Sequence, residues 1–191
     1  MTAHDLAATL RDVGNLTVLD TVAAYAVDGR RPAVVVRPHD SASVCTLLRH
    51  CATWELAVIP CGGRTDIALG NAPEAYQVAL DMTTLDRIVE HRPRDLSVTV
   101  EAGMTFAALD QALAPHGQIV GLDPPCPERA TVGGVLAANA SGPRRHRFGT
   151  ARDHVIGISA VLANGDQVKS GGRVVKNVAG YDLAKLFIGS A

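Results

Sequence analysis

Aromatic residues are scarce in this chain: one Trp, three Tyr and three Phe among 191 residues, 4% in all. A core of normal density must therefore be built from Ala, Val, Leu and Ile, which the 47% hydrophobic content supplies. Charge of one sign is lacking too. Eighteen Lys and Arg face nineteen Asp and Glu, for a formal net charge of −1, whereas a dedicated nucleic-acid binder carries a basic excess. No apolar run reaches the roughly 20 residues that a membrane helix needs. The opening Met1-Thr2-Ala3-His4-Asp5 has neither the basic start nor the apolar stretch of a secretory signal. These absences predict a soluble, cytoplasmic protein. Cys45, Cys51, Cys61 and Cys126 form no C-x-x-C pair and no His cluster joins them, so reduced thiols are expected and a metal centre is not.

What is present is patterned. Leu6, Leu10 and Val13 suit a short amphipathic helix closed by Gly14. Ala33-Val34-Val35-Val36-Arg37 reads as a buried strand ended by Pro38. Ser41 suits the N-cap of a helix with Val44, Leu47, Leu48 and Cys51 inward, and Leu56-Ala57-Val58-Ile59 follows as a strand. Strand, helix, strand at this spacing predicts a parallel crossover, with Gln77 to Leu80 joining the same sheet. Beyond Asp81 the pattern changes. Leu96 to Val100 alternates like a half-buried strand, and Thr105 can cap a helix with Phe106, Leu109 and Leu113 inward, ending near Pro115 and Gly117. Val155 to Ala163, then Asn164-Gly165 and Asp166 to Lys169, predicts a hairpin with a type I′ turn. The whole is α+β with two lobes: a helical segment at 1–30, a small parallel βαβ lobe at 31–90, and an antiparallel-sheet lobe at 91–191.

Three glycine-rich stretches carry the chemical signal. Pro60-Cys61-Gly62-Gly63-Arg64-Thr65-Asp66 follows a strand directly, and its glycines would let the backbone turn with positive φ and present consecutive N–H groups to a phosphate. A plain tight turn explains it about as well. Neither a Walker loop nor a G-x-G-x-x-G fingerprint occurs. Thr131 can cap a helix opening Val132-Gly133-Gly134, nearly all small, whose first turn would offer free N–H groups to a pyrophosphate; close helix packing is the competing explanation. Gly171-Gly172-Arg173 to Leu183 holds Lys176 and Asn177 within an apolar stretch, where a site or buried hydrogen bonds would fall.

On these motifs, together with Arg94 to Gly103, Gly121-Leu122-Asp123-Pro124-Pro125 and Gly142-Pro143-Arg144-Arg145, the chain resembles FAD-binding domains of the vanillyl-alcohol oxidase/p-cresol methylhydroxylase (PCMH) type. Within that group it is most similar to the FAD-binding subunits of bacterial glycolate oxidase (glycolate dehydrogenase). The resemblance implies a flavoprotein oxidoreductase with FAD held between two lobes. It places Pro60, Cys61, Gly62, Gly63, Arg64, Thr65 and Asp66 around the pyrophosphate. Pro124, Thr131, Gly133, Gly134, Ala137, Ser141 and Gly142 would flank the diphosphate and isoalloxazine, and Ile156 would add a backbone contact. It also implies a second flavin subunit and an iron–sulfur subunit as partners, and a small 2-hydroxy acid as substrate.

Two departures from the family pattern stand out. Relatives read Arg-Gly-Gly-Gly-Thr-Lys at the first loop, so Arg64 stands where a glycine with positive φ is usual, and the loop has no His for a covalent flavin bond. FAD is therefore expected to be noncovalent. The chain also stops at Ala191, where relatives continue with a further strand and a substrate domain, so it is expected to be C-terminally truncated and inactive alone, with catalytic residues unassigned. A non-catalytic FAD-binding or assembly module, or another FAD enzyme of this fold, remains as an alternative. His116 and His154 are acid/base candidates without a convincing carboxylate. Arg144, Arg145, His146 and Arg147 form the only basic cluster, read as a solvated turn or subunit contact.

Overall fold

The computed structural model describes residues 2–172 and 182–190. It divides into two compact units, one of residues 1–61, 67–85 and 160–168, the other of residues 62–66, 86–159 and 169–191. No helix among the described residues is long and apolar enough to cross a membrane. Lys176 and Asn177 lie outside the described residues.

The first unit is a four-stranded sheet with two helices. Strands β1 (Leu16–Leu19), β2 (Val34–Pro38), β3 (Val58–Cys61) and β4 (Val78–Asp81) lie in the order β1-β2-β4-β3. β4 pairs parallel with both β2 and β3, and β1 runs antiparallel to β2. The expected parallel crossover is present, with β4 inserted between the two strands it joins. Val34, Val35 and Val36 opposite Val78, Ala79 and Leu80 are buried on both faces, as a parallel sheet requires. Helix α1 (Ala3–Arg11) brings Leu6 and Leu10, and α2 (Ser41–Thr53) brings Val44, Leu47 and Cys51, to one face of this sheet. Residues 1–30 therefore do not stand apart as a helical segment: β1 completes the sheet edge and α1 completes its core. The cap of α2 is Asp40, whose Oδ1 accepts the Ser43 N–H at 2.7 Å, and Ser41 is the first helical residue. Burial drives the Cys51 thiol up to about 11, which keeps it a packing group.

One buried carboxylate anchors the C-terminal end of β4. Asp81 Oδ2 accepts from the Tyr25 hydroxyl at 2.6 Å and from Arg37 Nη2 and Nε at 2.6 and 2.9 Å. Its Oδ1 accepts the Thr83 N–H and hydroxyl at 3.0 and 2.7 Å. Burial alone would raise this carboxyl's pKa. Tyr25, Thr83 and Arg37 outweigh it and hold the group below its ordinary value.

In the second unit β5 (Ile88–Arg92) and β6 (Ser97–Val100) form an antiparallel pair with a bulge after Ile88. Helix α3 (Phe106–Leu113) is capped by Thr105, as expected, and passes through a 3-10 turn at Ala114–His116 to Gly117. α4 (Val132–Ala138) and the single turns α5 (Arg145–Phe148), α6 (Ala151–His154) and α7 (Ala184–Phe187) follow. Phe106, Leu122, Ala130, Val135, Ala151 and Ile188 form its main core. β7 (Gly157–Val161) and β8 (Gln167–Gly171) make the hairpin, with its tip counted in the first unit. Its turn is not type I′. The Gly165 N–H donates to Leu162 O and the Leu162 N–H to Asp166 O, both at 2.8 Å, and only Gly165 has positive φ. Asn164 Oδ1 accepts the Asp166 N–H at 3.0 Å instead, so a three-residue loop with a glycine bulge replaces the two-residue turn.

Candidate cofactor site

β3 ends at Cys61, whose side chain packs with Tyr25, Val27, Val35, Tyr76 and Ala79 while its thiol points at Ile59 O, 3.6 Å away. Pro60 is exposed on the same strand. These two residues belong to the first unit's sheet; the five that follow group with the second unit. There the backbone N–H groups of Gly62, Gly63, Thr65 and Asp66 find no acceptor among the described residues, although Gly62, Gly63 and Thr65 are half-buried. Arg64 has φ of +58°, the left-handed conformation anticipated at that position, which few side chains adopt. Successive unpaired N–H groups around a left-handed residue make a concave donor nest. An anionic group has the acceptors that such a nest lacks.

The two glycines serve a different purpose from the one expected. Neither has positive φ. A Cβ on Gly62 would overlap Thr131 Oγ1, and one on Gly63 would overlap the Arg129 carbonyl. They let the loop lie directly on segment 129–131, where Arg129 Nη2 donates back to Gly63 O at 3.1 Å.

α4 is capped as predicted, with the buried Thr131 hydroxyl accepting the Gly134 N–H at 3.3 Å. Its first turn is not open to a ligand, however. The Val132 N–H donates to Met104 O and the Gly133 N–H to Ala102 O, both at 2.8 Å. A Cβ on Gly133 would stand 2.8 Å from that of Ala102. The expectation of free N–H groups here is corrected: close packing consumes them. Gly134 is exposed and Ala137 half-buried on the same helix.

A second group of open donors lies just after α4. Pro124 is buried, and next to it Asp123 accepts the Arg144 N–H through both carboxylate oxygens at 3.2 Å. Gly142 sits against Asp123 so closely that a Cβ would overlap it. Held this way, Ser141 and Gly142 are half-buried and their N–H groups donate to nothing among the described residues. Asn139, the left-handed C-cap of α4 at φ +48°, holds a sheltered Oδ1 with no partner among the described residues. Sequence reasoning missed this residue, because an Asn ending a helix is what any cap would use. The Ile156 carbonyl accepts the Gly172 N–H at 3.0 Å, leaving its own N–H without an acceptor among the described residues.

The acid/base candidates do not pair. Asp153 caps α6 by accepting from the Thr150 N–H and hydroxyl at 2.7 and 3.0 Å, which lowers its pKa, so it is not a partner on a strand for His154. His116 packs edge-on to His91 at 4.8 Å between ring centres. Arg144, Arg145 and Arg147 are exposed.

Two loops with unfilled donors, each held by glycine-permitted close packing, thus lie in the second unit of an α+β fold. Residues 32–171 match the FAD binding domain family. The chain belongs to that family, and FAD is its cofactor. It is 33% identical over 159 residues to the glycolate oxidase subunit GlcD of Bacillus subtilis, covering 83% of this chain and 34% of that protein. The mitochondrial D-lactate dehydrogenase [cytochrome] of Arabidopsis thaliana is 37% identical over 159 residues, 83% of this chain and 28% of its own length. The mitochondrial D-2-hydroxyglutarate dehydrogenase of Bos taurus is 33% identical over 157 residues, 82% and 29% respectively. Among solved structures, alkyldihydroxyacetonephosphate synthase shares the fold at a TM-score of 0.72 and 24% identity, over 84% of this chain and 29% of its own. The chain thus spans about a third of the length of the curated relatives it matches.

Proposed function

We propose that this chain is the FAD-binding part of a flavin-dependent oxidoreductase that acts on a 2-hydroxy acid such as glycolate. The observation that carries this is the row of unpaired N–H groups at Gly62, Gly63, Thr65 and Asp66, in a chain whose relatives are named for glycolate, D-lactate and D-2-hydroxyglutarate. All three are 2-hydroxycarboxylates.

In this reading the 62–66 loop holds the pyrophosphate by charge-assisted hydrogen bonds, with Arg129 bracing Gly63 from behind. Thr131, Gly133 and Gly134 support that loop by packing. Ser141, Gly142 and Pro124, with Ala137 nearby, line the flavin, and the Ile156 N–H adds a backbone contact. Bound FAD supplies the two-electron acceptor for oxidation of the hydroxy acid. Its attachment is noncovalent: the loop has no His, and the Cys61 thiol is turned into a core. Substrate-binding and base residues are unassigned in this chain, and in this reading it does not turn over substrate by itself. The partners in this reading are a second flavin subunit and an iron–sulfur subunit, in the cytoplasm.

Reconstituting the purified chain with FAD, then precipitating it with acid, tests the core of this reading. Stoichiometric uptake followed by complete release of flavin into the supernatant is expected. Failure to take up FAD overturns the site, and flavin retained in the pellet overturns the noncovalent assignment.

A further inference from the structure

Of the five asparagines in the chain, Asn164 alone precedes a glycine. That pairing carries a chemistry of its own. A glycine nitrogen has no side chain beside it to hinder attack on the carboxamide carbon of the residue before. Asn164 is exposed at the tip between β7 and β8, yet three hydrogen bonds oppose that attack. The Gly165 N–H is committed to Leu162 O at 2.8 Å. Asn164 Oδ1 accepts the Asp166 N–H at 3.0 Å, and Nδ2 donates to Asp166 Oδ2 at 2.8 Å. Gly165 is itself buried with φ of +81°, so close to α2 that a Cβ would stand 2.5 Å from Cys45 O and from Arg49 Cγ. A cyclic imide has no room there while the tip is seated.

We propose that Asn164 is a deamidation site that the seated hairpin tip holds shut, and that its conversion unseats the tip. When the tip lifts, the Gly165 nitrogen bonds to Asn164 Cγ and the Cγ–Nδ2 bond breaks. Ammonia leaves with the Gly165 proton, and a succinimide remains. Water then opens that ring at either carbonyl to give aspartate or isoaspartate, with no change of oxidation state. Aspartate sets a carboxylate against Asp166 Oδ2, where an amide N–H donated before. The exposed Arg49 guanidinium, 3.8 Å from Asp166 Oδ1, offsets little of this repulsion. Isoaspartate adds a backbone methylene inside the turn that Leu162 and Asp166 close. Both products loosen the hold on α2.

Tryptic peptides of the 191-residue chain, followed by mass spectrometry during incubation in mildly alkaline buffer, test the gate. Conversion at Asn164 is expected to be about tenfold slower in the folded chain than in urea. Asp166→Ala frees the carboxamide nitrogen, and should speed conversion a few-fold in the folded chain with the rate in urea unchanged. Asn164→Asp stands in for one product. Its Tm should fall by about 2–4 °C at low salt, and part of that loss should return at high salt. Equal rates in the folded chain and in urea overturn the gate, and no conversion in urea overturns the site. An Asp166→Ala chain as slow as the wild type overturns the hold assigned to Asp166. An Asn164→Asp Tm level with the wild type overturns the unseating.

Discussion

The Arg129 guanidinium donates from Nη2 to the Gly63 carbonyl at 3.1 Å, while the Arg129 carbonyl fills the space a Gly63 side chain would need. The two residues hold each other through backbone on one side and side chain on the other. A substitution at either end therefore acts on the loop before any cofactor is present.

Gly63→Ala should destabilise the flavin-free protein by about 1–3 kcal/mol, because a methyl group is driven into rigid backbone. Thermal melting without FAD reads this directly. An unchanged Tm would mean that segment 129–131 yields at no cost.

Arg129→Gln removes the charged donor while leaving the backbone packing intact. FAD affinity should fall a few-fold, on the order of 1 kcal/mol, and should depend less on salt than in the wild type. Titrations at low and high ionic strength check both points. An unaltered salt dependence would take Arg129 out of the pyrophosphate's field.

Asp81→Asn should cost about 1–3 kcal/mol, since it weakens the charge-assisted bonds that a buried carboxylate makes to a partly exposed Arg37. The folded pKa of Asp81 lies below its unfolded value. Its charge therefore contributes stability that is fully present above about pH 4 and is lost as the pH falls through the folded value. The variant should show a flatter decline in stability below about pH 4 than the wild type. Acid titration of the melting temperature compares the two slopes.

Leu96→Gly should stabilise the protein by about 0.5–1 kcal/mol. Leu96 is 81% exposed with φ of +51°, so its side chain pays strain without gaining burial. Its N–H bond to Pro93 O does not involve the side chain. Urea denaturation gives the difference, and a lower midpoint would contradict it.

Elements with clear period or cap chemistry were legible in the sequence. The valine run of β2 and the Thr105 and Thr131 caps fall where composition and spacing put them. β1 and β5 were not legible, because Leu16–Leu19 and Ile88–Arg92 are short, half-buried edge strands that only their pairing partners identify. At the start of α2 the sequence offers Asp40 and Ser41 side by side as caps; Asp40 takes the role through Ser43, and its other oxygen accepts from Asn15 Nδ2, 25 residues away. At the site, the glycine loop was visible by composition, but its glycines answer to a neighbour at 129–131 that sequence spacing does not reveal. The Asn139 acceptor was invisible for the same reason: burial without a partner is a property of three dimensions.

The first unit is assembled from three stretches of chain, the last being the hairpin tip at residues 160–168. There Gly165 presses on Cys45 O and Arg49, and Val161 packs with the helices and sheet of the N-terminal stretch. The sheet, helices and buried core of the first unit all lie before residue 86, and the hairpin tip is laid against them only after most of the second unit has been made. Residues 86–159 are synthesised after that core and before the tip that covers part of it. A cut inside the hairpin tip would therefore uncover Val161's place on that core and the surface of α2 at Cys45 and Arg49, far upstream in the chain.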